Sequence, residues 1–379
     1  MKKHTGLLAL ALFARMFASA QTPTPLPAHN SARTPTQSPA RATVTNEEAL
    51  RLAHRIESEA SAGNPATLSH IIDPDLLVGR ISEKSPVLKE ESFRRSFRDG
   101  VAESITNFGL QVVNNIKGGG YHLLRVYEYK GARHMLFRLH DGSAALNYHD
   151  FILEKVKDSV RASDCYIYVS DDYMSTTMSR LVNTMNANNQ INNSEEMKFL
   201  AGMLQLYQKK DYAGIKEFFE KGDAKMKDDK GMYLIYVLCC KKVDVEKYQE
   251  VLEHYITHFP DAASGYLMMI DLYYTKKDPV KGLVAVEKLD SLIGKDPFLD
   301  YYRGRCYDMQ GKRAESIKCF ETTYRLDPTF ERNTIRLIVA YAANKENDKA
   351  KTVIGEYKRS PVFAQENLDA VYKRFPDLK

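Results

Sequence analysis

The spacing of hydrophobic positions along this 379-residue chain changes period several times, and each change predicts a change of architecture. Thr45-Asn46-Glu47-Glu48 is a capping-box pattern opening a helix with Leu50, Ala53 and Ile56 on one face, and Gly63-Asn64-Pro65 stops it. After Ser85-Pro86, the residues Phe93, Phe97, Val101 and Ile105 recur every four positions. Phe108, Val112 and Ile116 extend that stripe to Gly118-Gly119-Gly120, which reads as a helix stop. The period then falls to two. Segments 121–129, 133–140, 146–156 and 161–169 are rich in Tyr, Leu, Val and Phe. Between them, Lys130-Gly131, Asp141-Gly142 and Lys157-Asp158-Ser159 are hairpin-type turn signals. Helices followed by a four-stranded antiparallel meander predict an α+β domain over residues 47–182.

An asparagine-rich stretch, 183–194, ends in Ser194, a helix-cap residue, and marks a domain boundary. Beyond it, over 195–379, the period becomes long. Tyr273, Tyr307 and Tyr341 are spaced by 34 residues, as are Met269, Arg303 and Leu337, and Ile270, Gly304 and Ile338. Phe320 and Ile354 keep the same interval. This half resembles the tetratricopeptide-repeat family, whose period is 34. The unit Pro297–Phe330 carries the resemblance best, with small Gly304, aromatic Tyr307 and Phe320, Gly311 ending the first helix and Pro328 the second. Ser316 and Thr323 stand where the family usually has alanine, and the preceding unit has an insertion near Lys276-Lys277-Asp278-Pro279. Leu200–Lys221 and Met232–Pro260 read as degenerate pairs, with Cys239 replacing the tyrosine, and about four pairs are expected. The expected fold class is therefore an α+β domain followed by an all-α tetratricopeptide-like solenoid. The first half is similar to cystatin-like folds in element order only.

The resemblance implies a groove lined by first helices and used for protein or peptide binding. Its groove positions map to Ser264, Leu267, Asp271 and Tyr274, then Phe298, Tyr301, Arg305 and Asp308, then Arg332, Ile335, Val339 and Ala342, with Tyr302 and Arg336 beside them. Aromatics with arginine are the usual composition of interface hot spots. Leu267, Asp271, Tyr274, Tyr301, Tyr302, Arg305, Asp308 and Arg336 are the expected partner-binding residues. The lysine-and-asparagine clamp that some family members use on acidic C-terminal tails is absent.

The ends and the charge narrow the setting. Lys2 and Lys3, the apolar run Gly6–Phe13 and Ala18-Ser19-Ala20 predict a secretory signal over 1–20, cleaved before Gln21. Arg15 interrupts the run too early for a membrane anchor. A transit peptide is the rival reading, since no acidic residue precedes Glu47. Residues 21–46 hold five prolines and six threonines with no aromatic residue, a spacer without the means to form a core. The formal charge is +5, but losing Lys2, Lys3 and Arg15 leaves 51 basic against 49 acidic residues. That balance predicts neither nucleic acid nor an anionic membrane as partner. No other stretch is long enough to span a bilayer.

Candidate chemistry is sparse. The five cysteines (165, 239, 240, 306 and 319) form no C-x-x-C, and buried thiols are expected, although Cys306 and Cys319 fall on the two helices of one pair. His254 and His258 have half-metal-site spacing with no third ligand nearby in sequence. His140-Asp141-Gly142 reads as a turn, and His149 as a strand residue beside Phe151 and Leu153. No cofactor and no metal set is expected, and the one enzyme alternative is an uncharacterised hydrolase using His149. The leading expectation is an exported scaffold that binds an envelope protein. The alternative is a pocket for a small apolar ligand in the α+β domain, tethered by the repeats.

Overall fold

The computed structural model describes residues 43–116, 118–187 and 195–379. The expected signal segment, nearly all of the Pro/Thr-rich spacer and the Ser194 cap lie outside the described residues, as does most of the asparagine-rich junction. The chain is an α+β unit followed by an all-α array, as the periods predict.

Helix α1 (Asn46–Ser61) opens on the expected capping box: the Thr45 hydroxyl accepts from the Glu48 amide and the Glu48 carboxylate accepts from the Thr45 amide. Its buried face is Ala49, Ala53, Ile56 and Ala60, so Leu50 sits at the margin. A short turn α2 (Ala66–Ser69) follows, then α3 (Pro74–Lys84), an element the hydrophobic pattern did not predict. After a 3-10 turn at Pro86–Lys89, helix α4 (Glu91–Ile116) buries Val101, Ile105, Phe108, Val112 and Ile116 of the predicted stripe and leaves Phe93 and Phe97 half-buried.

The meander is β1 (Gly120–Tyr129), β2 (Ala132–His140), β3 (Leu146–Val156) and β4 (Ser159–Ile167), in that spatial order. A two-residue strand β5 (Asp172–Tyr173) extends the sheet to five, and α5 (Met174–Ala187) closes the unit. Lys130 and Gly131 both have positive φ, the conformation a tight two-residue hairpin loop requires. His140 is the last residue of β2, not a turn residue. The loop begins at Asp141, whose carboxylate accepts from the amides of Ser143 and Ala145.

The second half stacks five antiparallel pairs among the described residues: α6 (Glu195–Gln208) with α7 (Tyr212–Lys221), and α9 (Lys230–Val243) with α10 (Val245–His258), the short α8 (Ala224–Lys227) lying between them. Then come α11 (Ala263–Lys276) with α12 (Pro279–Ile293), α13 (Asp300–Met309) with α14 (Arg313–Leu326), and α15 (Glu331–Ala343) with α16 (Asn347–Tyr357). A last helix, α17 (Gln365–Arg374), packs Leu368 and Val371 into the same core. Both upstream segments read as degenerate pairs fold as pairs, and with the three units after them the described residues hold five where about four are expected. Gly304 shows why the small position matters: a Cβ there would come within 2.7 Å of the Phe320 ring and 3.1 Å of the Cys319 Cβ. All five cysteines are free and buried, so Cys306 and Cys319 pack as small hydrophobes. No helix among the described residues is long and apolar enough to cross a membrane.

Two cores result. One face of the sheet, with Tyr121, Met135, Phe137, Leu139 and Phe151, packs on α1, α3, α4 and α5. Leu136, Leu146 and Tyr148, on the opposite face, belong to the core of the helical array. An antiparallel sheet commonly leaves one face to water. Here both faces are covered.

Candidate functional site

The first helices α11, α13 and α15 meet the sheet unit at their N-terminal ends. Helix α11 has no side-chain cap of its own, and Asp171, in the turn before β5, supplies one by accepting from the Ser264 amide at 3.0 Å. Desolvation pushes the Asp171 carboxyl up to about 6, against the pull of that contact. The C-terminal carbonyls of α12 are held in turn by Arg125 of β1, which donates to Gly294 O at 2.8 Å and also to Ile293 O. Tyr302 donates to Ala144 O at 2.5 Å, and Arg332 Nε to Gly142 O at 2.9 Å.

At the centre of this seam lies Asp296, just ahead of α13. Its carboxylate accepts from Arg138 at 2.8 Å, from the Tyr148 hydroxyl at 3.0 Å and from the Phe298 amide at 3.0 Å. The Arg138 guanidinium also lies 4.2 Å from the centre of the Phe298 ring. Deeper along the same edge, His140 stacks on Phe298 with ring centres 4.4 Å apart, and His122 stacks on His140 at 5.7 Å. Asp327, the residue after α14, places Oδ2 at 3.1 Å from His140 Nε2 and 3.9 Å from His122 Nε2. Burial lowers the His140 imidazole below its usual value. Burial acts to raise the Asp327 carboxyl, but the His140 contact, the Thr329 hydroxyl and the neighbouring imidazoles outweigh it and hold the group well below the ordinary carboxylate range.

The expected partner-binding residues divide accordingly. Tyr301, at 2% exposure, and Tyr302 are buried, and Phe298 and Ser264 are covered at the seam. Ser264, Phe298 and Tyr302 are covered by the protein's own sheet unit, whereas Tyr301 packs inside the array against Phe320 and Phe330. Further along the same helices the face is open. Arg305 lies over the ring of Tyr274, 3.1 Å from its centre, and Arg336 donates to the Tyr274 hydroxyl at 3.2 Å. Asp308 approaches Arg336 at 3.8 Å, and Lys241 pairs with Asp271 at 3.2 Å. Burial raises the Tyr274 phenol, but the two guanidiniums outweigh it and the net displacement is downward. Leu267 is half-buried beside this strip. Five of the eight expected residues thus form one strip running across α11, α13 and α15.

The other candidates resolve differently. His149 is 1% exposed, with Tyr121 Oη 3.1 Å from Nδ1 and Asn147 Nδ2 3.1 Å from Nε2. The Asn147 oxygen already accepts from the amides of Tyr148 and Val169, so its nitrogen faces the imidazole and Nδ1–H points to Tyr121. Burial lowers this imidazole to about 3, which keeps it neutral. Phe108, Tyr121, Phe137 and Phe151 fill the interior where a small-ligand pocket was considered. A cleft of about 250 Å³ lies instead among α7, α9 and α10, lined by Phe219, Tyr233, Tyr236, His254 and His258. There His254 pairs with the Tyr233 hydroxyl and His258 with Asp228.

The seam residues His122, Arg138, Asp296 and Asp327 were not among the expected functional residues. A scan of protein-family models gives no match to the chain, and a search of curated proteins gives none either.

Proposed function

We propose that this chain is an exported tetratricopeptide-type scaffold that binds an envelope protein on the open part of its first-helix face. The reading rests on the Tyr274–Arg305–Arg336 cluster, which joins three successive helix pairs and remains accessible beside the sheet. Tyrosine and arginine give large contact area with directional polar ends, the composition of binding hot spots. Asp271 and Asp308 at its border provide the charges that set register with a partner segment. The sheet unit acts in this reading as a fixed wall that limits where the partner enters.

The test is site-specific photocrosslinking in the native host, with benzoylphenylalanine at positions 271, 308 and 280. Val280 is exposed on a second helix and serves as the comparison. One discrete protein adduct from positions 271 and 308, absent from 280, is the expected result. Adducts of equal yield from all three, or none from 271 and 308, would overturn the proposal.

A further inference from the structure

His122 and His140 stand on neighbouring strands, diagonal to each other, because His122 pairs in register with Arg138 and His140 with Gly120. Gly120 leaves the space opposite His140 empty of side chain, and the His122 ring folds into it: a Cβ on Gly120 would lie 2.1 Å from His122 Nε2. Both rings therefore lean toward one oxygen of Asp327 from the far half of the chain. That carboxylate is divided by function. Its Oδ1 accepts from the Thr329 amide at 3.0 Å and the Thr329 hydroxyl at 2.7 Å, while Oδ2 faces the histidines.

The nitrogens facing Oδ2 have no hydrogen-bond partner. His140 is fully buried, yet neither of its ring nitrogens is satisfied, and His122 Nε2 is likewise buried and unpaired. The 3.1 Å approach of Asp327 to His140 is close but out of line for a hydrogen bond. Buried polar atoms left unpaired are rare and costly, so two that face one carboxylate oxygen, His122 Nε2 and His140 Nε2, require a cause. On its outer side His122 is oriented by Glu57 of α1, whose Oε1 lies 3.3 Å from Nδ1. A carboxylate on the far nitrogen of an imidazole is the usual support of a metal-bound histidine, fixing the tautomer that frees Nε2.

We propose that His122, His140 and Asp327 form a binding site for a divalent first-row transition ion of the zinc type. The three ligand atoms lie within 4.8 Å of one another. The 3.1 and 3.9 Å separations bracket the roughly 3.4 Å edge of a tetrahedron built on bonds of about 2.1 Å. Two imidazoles with one carboxylate suit zinc, nickel or cobalt, whereas calcium and magnesium take oxygen ligands. His122 is the one ligand side chain of the three that borders solvent, although its Nε2 is itself covered. Because two ligands come from the sheet and one from the helical array, an ion here fastens the two halves together.

Cobalt(II) is the direct probe, added to the full mature chain after chelator treatment and followed by its visible absorption. We expect saturation at one equivalent with the intense bands of a tetrahedral site, and displacement by zinc(II). His122→Gln and Asp327→Asn lower the affinity at least about tenfold. His258→Gln, on an exposed histidine outside the site, leaves it unchanged. His122 is oriented by a surface-side contact and its variant retains the fold, which far-ultraviolet circular dichroism verifies, so that variant decides the matter if Asp327→Asn does not fold. Absence of saturable cobalt binding by the unaltered chain, or equal binding by folded His122→Gln, would overturn the proposal.

Discussion

Arg138 of β2 and Asp296, 158 residues later, form an ion pair at 2.8 Å in which the side chains are 5% and 0% exposed. The pair joins the sheet to the helical array at the seam. Its stability value is not the Coulomb attraction alone, because burying two charges costs about as much as their contact returns. What it secures is register: each charge is tolerated only when the other half is docked in one position.

The first prediction follows from that asymmetry. Asp296→Ala strands the Arg138 charge and leaves the Tyr148 hydroxyl without its acceptor, and should cost about 3–5 kcal/mol. Adding Arg138→Met to it removes the stranded charge and should recover a substantial part. Denaturant midpoints of the two single variants and the double variant measure this. Strictly additive losses would show that the residues do not act as a pair.

What was legible in the sequence was local. The Thr45–Glu48 box, the Lys130-Gly131 turn, the every-fourth stripe of α4 and the 34-residue recurrence of Tyr273, Tyr307 and Tyr341 all depend on near neighbours or on a repeated unit, and all appear in the fold. The docking of the sheet was not legible, for a physical reason. His134, Arg138 and His140 alternate with apolar residues in β2, the pattern of a strand with one wet face. Arg138 and His140 are instead buried against Asp296 and Asp327, and a partner so far away leaves no trace in a period of two. The same distance hides the convergence of His122, His140 and Asp327 and the cover that the Ala144 loop gives Tyr302. A partial signal is present at one helix: α11 lacks a capping side chain of its own, and Asp171 supplies the contact.

A second prediction concerns pH. His149 is buried and neutral, with its imidazole lowered to about 3, whereas the unfolded chain has a histidine near 6.5. Above about 6.5 neither state holds the proton and this group has no effect on stability. Below it the unfolded state takes up a proton that the folded state refuses, so stability falls as pH drops, down to about 3. The slope from this one group is at most about 1.4 kcal/mol per pH unit. Asp171, raised to about 6, works in the opposite sense: its folded state holds the proton longer, so its contribution is lost as pH rises from about 3.8 to 6. The comparison is therefore between the unaltered chain and His149→Gln, in which Asp171 is common to both. Denaturation at pH 7, 5.5 and 4.5 should show the unaltered chain losing more stability on acidification than the variant. Equal losses would mean that His149 is protonated in the fold.

A third prediction separates binding from folding on the open strip. Arg305 lies over Tyr274, which is 36% exposed, and a cation–π contact at so wet a site contributes about 0.5–1 kcal/mol. Arg305→Ala should therefore lower the thermal midpoint only slightly, by the loss of its contacts with the Tyr274 and Tyr301 rings. If the strip is a recognition surface, the same change weakens partner capture far more than it weakens the fold, because truncating an arginine hot spot costs at least about 2 kcal/mol of binding. Leu326→Ala offers the contrast, since its side chain is exposed away from the strip and its loss should leave both quantities near their starting values. Pull-down yield and thermal midpoint measured on the same preparations give the two axes. A variant that loses both in proportion would place Arg305 among the residues that hold the helix pairs together, and the strip would then have no claim to a partner.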